Sequence, residues 1–309
     1  MKTGYVALIG RPNVGKSALL NNILGYKVAI ISDKPQTTRI SILGIKTTEK
    51  GQIIFIDNPG IHRPLHKLNK RMMKFVESAM ETSDLICLLI DASLKFGHGD
   101  EFVIENLKKT STPIFLLINK IDIVKKEKIL LIIDKYKDLL DFKEIIPISA
   151  LKGTNLNVFE EKIYEYLPES EKLYADDDLS VQSKKFLLSE IIREKVLHHV
   201  HKELPFTTAV YIDYFDEVPA SSIIKIPKKD TTSFNEKIKK YIQASIFVEK
   251  DNHRKIIIGK RGSLIKTIGT EARREIERIL GAKIFLDLKV KVKEKWRDSA
   301  DVLDLIERQ

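Results

Sequence analysis

One cysteine stands among 309 residues. A single thiol cannot form a disulfide within the chain, which excludes the small stapled scaffolds of secreted proteins and fits a reducing compartment. That residue, Cys87, lies in the apolar run Leu85-Ile86-Cys87-Leu88-Leu89-Ile90 and reads as a small core side chain. Long hydrophobic runs are missing as well: no uninterrupted apolar stretch approaches the roughly 18 residues that a spanning helix requires. The first apolar run begins within a few residues of Met1 and leaves no room for a leader peptide, so the expectation is a cytoplasmic protein. Glycine numbers only 14, and even so a bare G-x-x-G should arise about once by chance, so that spacing alone carries no signal.

What is present describes a folded chain. An apolar fraction of 43% beside a charged fraction of 31% supports a buried core, and the length suits about two domains. The net charge of +10 is unevenly placed. Counting Lys and Arg against Asp and Glu, residues 1–180 hold 26 against 24, a net of +2, while residues 181–309 hold 27 against 19, a net of +8. Residues 250–297 alone carry 15 against 6, a net of +9. A positive excess gathered in one C-terminal segment points to a polyanion partner, nucleic acid above all.

In the first half, short apolar runs alternate with amphipathic stretches. Tyr5-Val6-Ala7-Leu8-Ile9 ends at a glycine as a buried strand does, and residues 40–48 and 52–57 flank Glu49-Lys50-Gly51 as a hairpin. Residues 85–91, 113–118 and 144–148 read as three further buried strands, with helical spacing over 16–24, 66–82, 100–109, 126–140 and 155–167. This alternation predicts a doubly wound α/β sheet with its ligand at the strands' carboxyl ends. Pro168-Glu169-Ser170-Glu171 and the acidic Ala175-Asp176-Asp177-Asp178 mark a boundary. Residues 1–168 are expected to form one domain, 169–180 a linker and 181–309 a second. The second reads as a smaller α+β domain: helix (180–202), strands (206–216 and 241–249), helices (252–258 and 263–280), strand (282–292) and a last helix (298–308).

Gly10-Arg11-Pro12-Asn13-Val14-Gly15-Lys16-Ser17 fits G-x-x-x-x-G-K-S/T directly after a predicted strand and before a helix. Its glycines let backbone N–H groups face phosphates, Lys16 supplies a point charge, and Ser17 can ligate Mg²⁺. Asn119-Lys120-Ile121-Asp122 follows the strand 113–118 and chooses the base. The Asp122 carboxylate can accept from both N1–H and the 2-amino group of guanine, and adenine would leave it unpaired. Ser149-Ala150-Leu151 after the last strand can offer a backbone N–H to guanine O6. Asp57-Asn58-Pro59-Gly60 follows the hairpin; Asp57 is placed to reach Mg²⁺ through water, and the Gly60 N–H to sense a γ-phosphate. In Gln36-Thr37-Thr38-Arg39 one threonine could complete the metal shell, with Thr38 favoured over Thr37. Lys16, Thr38 and Gly60 are therefore the groups expected to act on the γ-phosphate, and no general base stands out. His62, His66 and His98 read as solvated loop histidines.

These motifs resemble the translation-factor-like class of small GTPases, and the Gln36-Thr37-Thr38-Arg39 loop is similar to that of the Era family. The resemblance implies GTP/GDP and Mg²⁺ as ligands. Members usually carry D-T-P-G where this chain has Asn58, which touches only local loop hydrogen bonding. Many GTPases place a glutamine after that glycine to orient the attacking water; Ile61, expected beside the nucleotide with the rest of its loop, cannot do so. The family shares that departure, so slow intrinsic turnover, sensitive to an RNA or ribosome partner, is expected.

A second signature is Ile256-Ile257-Ile258-Gly259-Lys260-Arg261-Gly262-Ser263, opening a helix with Leu264, Ile265 and Ile268 apolar. Two cations in a G-x-x-G loop at a helix start are how a KH domain clamps about four nucleotides. Lys266, Arg273 and Arg274 would widen the basic surface, and the element order matches the type II KH arrangement. The resemblance to Era thus covers nearly the whole chain. It implies binding to the 3′ end of 16S ribosomal RNA, a role in assembly of the small (30S) ribosomal subunit, a monomer, and a peripheral fraction at the inner face of the membrane. A constitutive RNA-binding scaffold with structural nucleotide and negligible turnover is the alternative. His198, His199 and His201 lack the ligand constellation of a metal site and read as a helix end.

Overall fold

The computed structural model describes residues 1–61, 64–216, 223–225 (backbone alone) and 240–309; His62 lies outside the described residues. The chain divides into two compact units, residues 1–65 with 69–181, and residues 66–68 with 182–309.

The first unit runs β1 (Lys2–Gly10), α1 (Lys16–Leu24), β2 (Ile42–Thr47), β3 (Gly51–Asp57), α2 (Lys67–Thr82), β4 (Leu85–Asp91), α3 (His98–Leu107), β5 (Ile114–Asn119), α4 (Lys126–Tyr136), β6 (Phe142–Pro147), α5 (Leu156–Tyr166) and β7 (Asp178–Ser183). Every residue of β3 and of β5 is buried. Strands covered on both faces must be apolar on both, which is why these segments read as continuous runs rather than alternations. The sheet order within this unit is β6-β5-β4-β1-β3-β2-β7. Its central pairs are parallel, with β2 antiparallel to β3 and to β7. Because β1 lies between β3 and β4, successive crossovers leave it on opposite sides and open a crevice at its carboxyl end, where Gly10 begins the turn into α1. Helix α2 turns Met72, Val76 and Ala79 inward on one stripe.

Residues 169–180, expected as a linker, are tied to this unit. Gln52 Oε1 accepts from the N–H groups of Leu173 and Tyr174 at 2.9 and 3.0 Å, and Ser180 Oγ donates to the Leu43 carbonyl. Asp178 Oδ2 accepts from the Ala175 N–H at 3.1 Å, so the acid run closes a turn that leads into β7.

The second unit holds α6 (Lys184–His199), α7 (Leu204–Thr207), β8 (Ala209–Phe215), β9 (Ile223–Lys225), β10 (Lys240–Val248), α8 (Asp251–Ile258), α9 (Ser263–Leu280), β11 (Ile284–Val292) and α10 (Ala300–Glu307). Helix α6 starts later than 180 because Ser183 caps it, accepting from the Phe186 N–H at 3.0 Å. Strands β11, β10 and β8 form a three-stranded sheet, β10 parallel to β11 and antiparallel to β8. Ile242, Ala244, Ile246 and Val248 alternate inward, and α6 and α9 pack on the sheet, α9 through the stripe Ile268, Ala272 and Ile276. Trp296 is buried with its indole N–H donating to the Thr207 carbonyl at 2.8 Å, so its polar atom costs the core nothing. Among the described residues no helix is long and apolar enough to cross a membrane.

Candidate functional site

The crevice beyond β1 is a cleft of about 530 Å³. Its walls bring together Pro12, Asn13, Gly15, Lys16 and Ser17, then Thr38 and Gly60, then Asn119, Lys120, Asp122, Ala150 and Leu151. Five motifs spread over some 140 positions of sequence thus meet in one place. Gly10, Arg11, Val14, Asp57, Asn58, Pro59, Ile61, Ile121 and Ser149 stand outside this lining.

At the phosphate end the backbone curls through positive φ at Asn13 and at Gly15 (φ 104°), which precedes α1. A Cβ on Gly15 would sit 2.3 Å from Asn119 Nδ2, and one on Gly60 2.5 Å from the Pro12 nitrogen, so neither position has room for a side chain. Lys16 Nζ donates to the Gly10 and Arg11 carbonyls at 3.3 and 3.1 Å. Burial lowers its pKa to about 8, against the pull of the Asp57 charge.

Three oxygens converge beside it. Ser17 Oγ donates to Asp57 Oδ2 at 2.6 Å and lies 3.0 Å from Thr38 Oγ1, which is itself 3.4 Å from Asp57 Oδ2. Thr37 points elsewhere, its hydroxyl donating to the Lys34 carbonyl at 2.6 Å. Burial raises the Asp57 carboxyl to about 6, partly offset by Lys16 and by the hydrogen bonds from Ser17 and Thr38. Asp57 Oδ1 is buried with no hydrogen-bond partner, and a hydroxyl–hydroxyl–carboxylate set of hard oxygens suits Mg²⁺.

Asn58 fits its loop through its amide: Nδ2 donates to the Ile56 carbonyl at 3.1 Å and Oδ1 accepts from Ser41 Oγ at 2.7 Å. The next residues diverge in role. Gly60 faces the cleft, whereas Ile61 is 4% exposed, packs in the core and donates its N–H to the Gly10 carbonyl at 3.1 Å. Ile61 was expected among the nucleotide-binding residues; its side chain instead anchors the loop to the core.

At the base end one side chain joins three loops. Asn119 Nδ2 donates to the Val14 carbonyl at 2.7 Å, and its Oδ1 accepts from the Ala150 N–H at 2.8 Å. Lys120, in the left-handed region at φ 64°, sends Nζ to the Asn13 carbonyl at 3.0 Å and to Asp91 Oδ2 at 2.6 Å. Asp122 Oδ1 accepts from Ser149 Oγ at 2.6 Å, which fixes the carboxylate facing the cleft. Gln36 of the threonine loop also lines the cleft, and so do Ile30, Ile31, Ser32 and Asp33, which were not foreseen. They belong to no motif, and only their place between α1 and the threonine loop could have pointed to them.

In the second unit Gly259 (φ 73°), Arg261 (φ 52°) and Gly262 (φ 76°) give the loop between α8 and α9 its turn. The Gly262 N–H donates to the Gly259 carbonyl at 3.1 Å, and a Cβ on Gly262 would meet nothing within 4 Å. Lys260, Arg261, Lys266, Arg273 and Arg274 are all exposed. This is a surface that a phosphate chain can approach. His199 Nε2 lies 2.9 Å from Glu271 Oε2, and among the described residues no cluster of His, Cys, Asp and Glu suits a metal.

A family model described as a 50S ribosome-binding GTPase matches residues 5–120, and a KH-domain model matches residues 223–297. Among solved structures, Era in complex with MgGDPNP and nucleotides 1506–1542 of 16S ribosomal RNA is 39% identical, with 99% of this chain and 98% of that chain covered and a TM-score of 0.89. A single-site variant of Aquifex aeolicus Era bound to GDP·AlF4− is also 39% identical, over 99% of each chain, with a TM-score of 0.89. Matches that cover 99% of this chain take in both units. The chain belongs to the Era family of GTPases, a G domain that binds and hydrolyses GTP followed by a C-terminal KH RNA-binding domain.

Proposed function

We propose that this chain is a GTP-controlled switch that binds 16S ribosomal RNA near its 3′ end and acts in assembly of the 30S subunit. One observation carries the reading: the relative bound to nucleotides 1506–1542 of that RNA is matched across 99% of this chain, both domains included. The model named for the 50S subunit spans residues 5–120, so it speaks for the nucleotide domain and not for the RNA partner. In this reading residues 1–168 bind nucleotide, 169–180 connect, and 181–309 bind RNA.

Gly10 to Ser17 cradle the phosphates, while Asp122, Asn119 and a backbone N–H of the Ser149-Ala150-Leu151 loop hold guanine. Ser17 and Thr38 would hold Mg²⁺, with Asp57 reaching it through water, and the unsatisfied Asp57 Oδ1 fits a place in that shell. When bound, the ion neutralises charge on the β- and γ-phosphates. Lys16 and the Gly60 N–H meet the γ-phosphate. With Ile61 turned into the core, the side chain that directly follows Gly60 does not orient water, and intrinsic hydrolysis is slow. Gly259, Lys260, Arg261 and Gly262 clamp the RNA backbone, with Lys266, Arg273 and Arg274 alongside. The protein works as a cytoplasmic monomer with a peripheral fraction at the inner membrane face; light scattering and membrane flotation check these two points.

GTP hydrolysis measured with and without an oligonucleotide from the 3′ end of 16S RNA tests the proposal, with Gly262→Asp run alongside. Stimulation in the parent and none in the variant is the expected result. RNA that binds without altering turnover would sink the switch and leave the scaffold reading.

A further inference from the structure

Behind the phosphate loop lies a second cleft of about 350 Å³, between the segment joining β4 to α3 and helix α4. Its size is that of a small-molecule site, and so is its lining, mostly apolar with a few polar groups at the edge. Phe96, Ile132 and Tyr136 form the inner wall, and Leu94 and Leu131 stand at the mouth, 50% and 72% exposed. Apolar side chains this open to water gain from any apolar body that covers them.

The charges around the cleft are not symmetric. Both carboxylates in its wall are already engaged: Asp91 with Lys120 and Ser93, Asp100 with Arg11 at 2.9 Å and with the Gly97 N–H at 3.0 Å. Lys95, Lys128 and Lys135 also line it, and among the described residues none of the three has a carboxylate within ion-pair distance. Lys128 Nζ donates to the Ser93 carbonyl at 2.8 Å, and Lys135 Nζ sits 4.5 Å over the Phe96 ring. An unpaired ammonium held over an aromatic wall favours an anion at the rim of an apolar cavity.

The same cleft shares its wall with the nucleotide site. Arg11 and Val14 face it, while Pro12, Asn13 and Gly15 of the same loop face the first cleft. Asp91 lines the second cleft and holds Lys120, which lines the first. We infer that the second cleft binds a small amphipathic anion, its flat apolar body against Phe96 and Leu131 and its acid group among Lys95, Lys128 and Lys135, and that this occupancy alters guanine-nucleotide affinity. By linkage, bound nucleotide alters affinity for the anion by the same factor.

The test uses anilinonaphthalene sulfonate, an aromatic sulfonate, titrated into the full chain saturated with GDP and Mg²⁺ so that the first cleft is filled. The expected result is saturable fluorescence that weakens by about tenfold in affinity in Leu131→Glu and in Lys135→Glu, exposed positions where folding, followed by circular dichroism, stays intact. Absence of saturable binding, or equal binding by parent and both variants, would overturn the site. Dissociation of tritiated GDP, followed with and without the dye, tests the coupling. The rate changes in the parent and not in Leu131→Glu; an unchanged rate in a parent that binds the dye would overturn the coupling.

Discussion

The two ligand surfaces of this chain are built in opposite ways. The nucleotide pocket is assembled from side chains that bond to distant parts of the chain: Asn119 to the backbone of Val14 and Ala150, Lys120 to the backbone of Asn13, Ser17 to the Asp57 carboxylate. The G-x-x-G loop is assembled from backbone torsions, with its cations exposed and its Gly262 Cβ position open. In the first, the groups that read the ligand are also the groups that hold the loops together. In the second they are separate. Damage to the pocket should therefore cost fold and function at once, and damage to the loop should cost function alone.

The sharpest way to break that contrast is Asn119→Ala. It orphans the buried Val14 carbonyl and Ala150 N–H, at about 1–3 kcal/mol for each unsatisfied group, and frees the base loop. Thermal unfolding should fall, and calorimetry should show GDP affinity reduced by about a hundredfold or more. A variant as stable as the parent would deny the double role.

Next in size is the pH response of Asp57. Its carboxyl is raised from 3.8 to about 6, so the folded state holds the proton more tightly than the unfolded chain. Stability of the nucleotide-free protein should fall as pH rises from about 4 to about 6, by about 3 kcal/mol. Lys16, lowered only to about 8, stays charged across that window. Urea unfolding in chelator, with Asp57→Asn flattening the slope, checks it.

Gly262→Asp should move stability by only about 1–2 kcal/mol, the strain of a side chain at positive φ, yet weaken RNA binding by about tenfold through repulsion of phosphate. Lys266→Ala is the smallest change: it should leave unfolding untouched, weaken RNA uniformly and lower the salt slope by about 1. Equal loss of stability from Lys266→Ala and Asn119→Ala would erase the distinction between the two surfaces.

The same contrast explains what could be read from the sequence. Gly15, Lys16, Asn119 and Asp122 were legible because a phosphate and a guanine accept few residue types at fixed spacing. Strands β3 and β5 were legible because burial on both faces leaves an unbroken apolar run. Residues 30–33 were not, since lining a cleft with backbone and whichever side chains lie there demands no particular residues. Strand β7 was hidden because the acid run 176–178 reads as a solvated link, while Asp178 folds back on the Ala175 N–H and Ser180 binds Leu43. The tie from Ser180 to Leu43 spans more than a hundred positions of the chain, beyond the reach of a local pattern. Thr38 was favoured over Thr37 without a local pattern to decide between them, and the turn that aims one hydroxyl at Lys34 and the other at Ser17 distinguishes them.

The burial of Ile61 has a consequence for anyone who would engineer this enzyme. In an alignment the position looks like an empty socket waiting for the glutamine of faster GTPases. In space it is a rivet, with its side chain in the core and its N–H on Gly10. Ile61→Gln would push an amide into an apolar interior, at about 1–3 kcal/mol if it found no partner, and would loosen the loop it was meant to arm. Grafting by column would subtract turnover here; a faster variant has to be sought from a residue that faces the cleft.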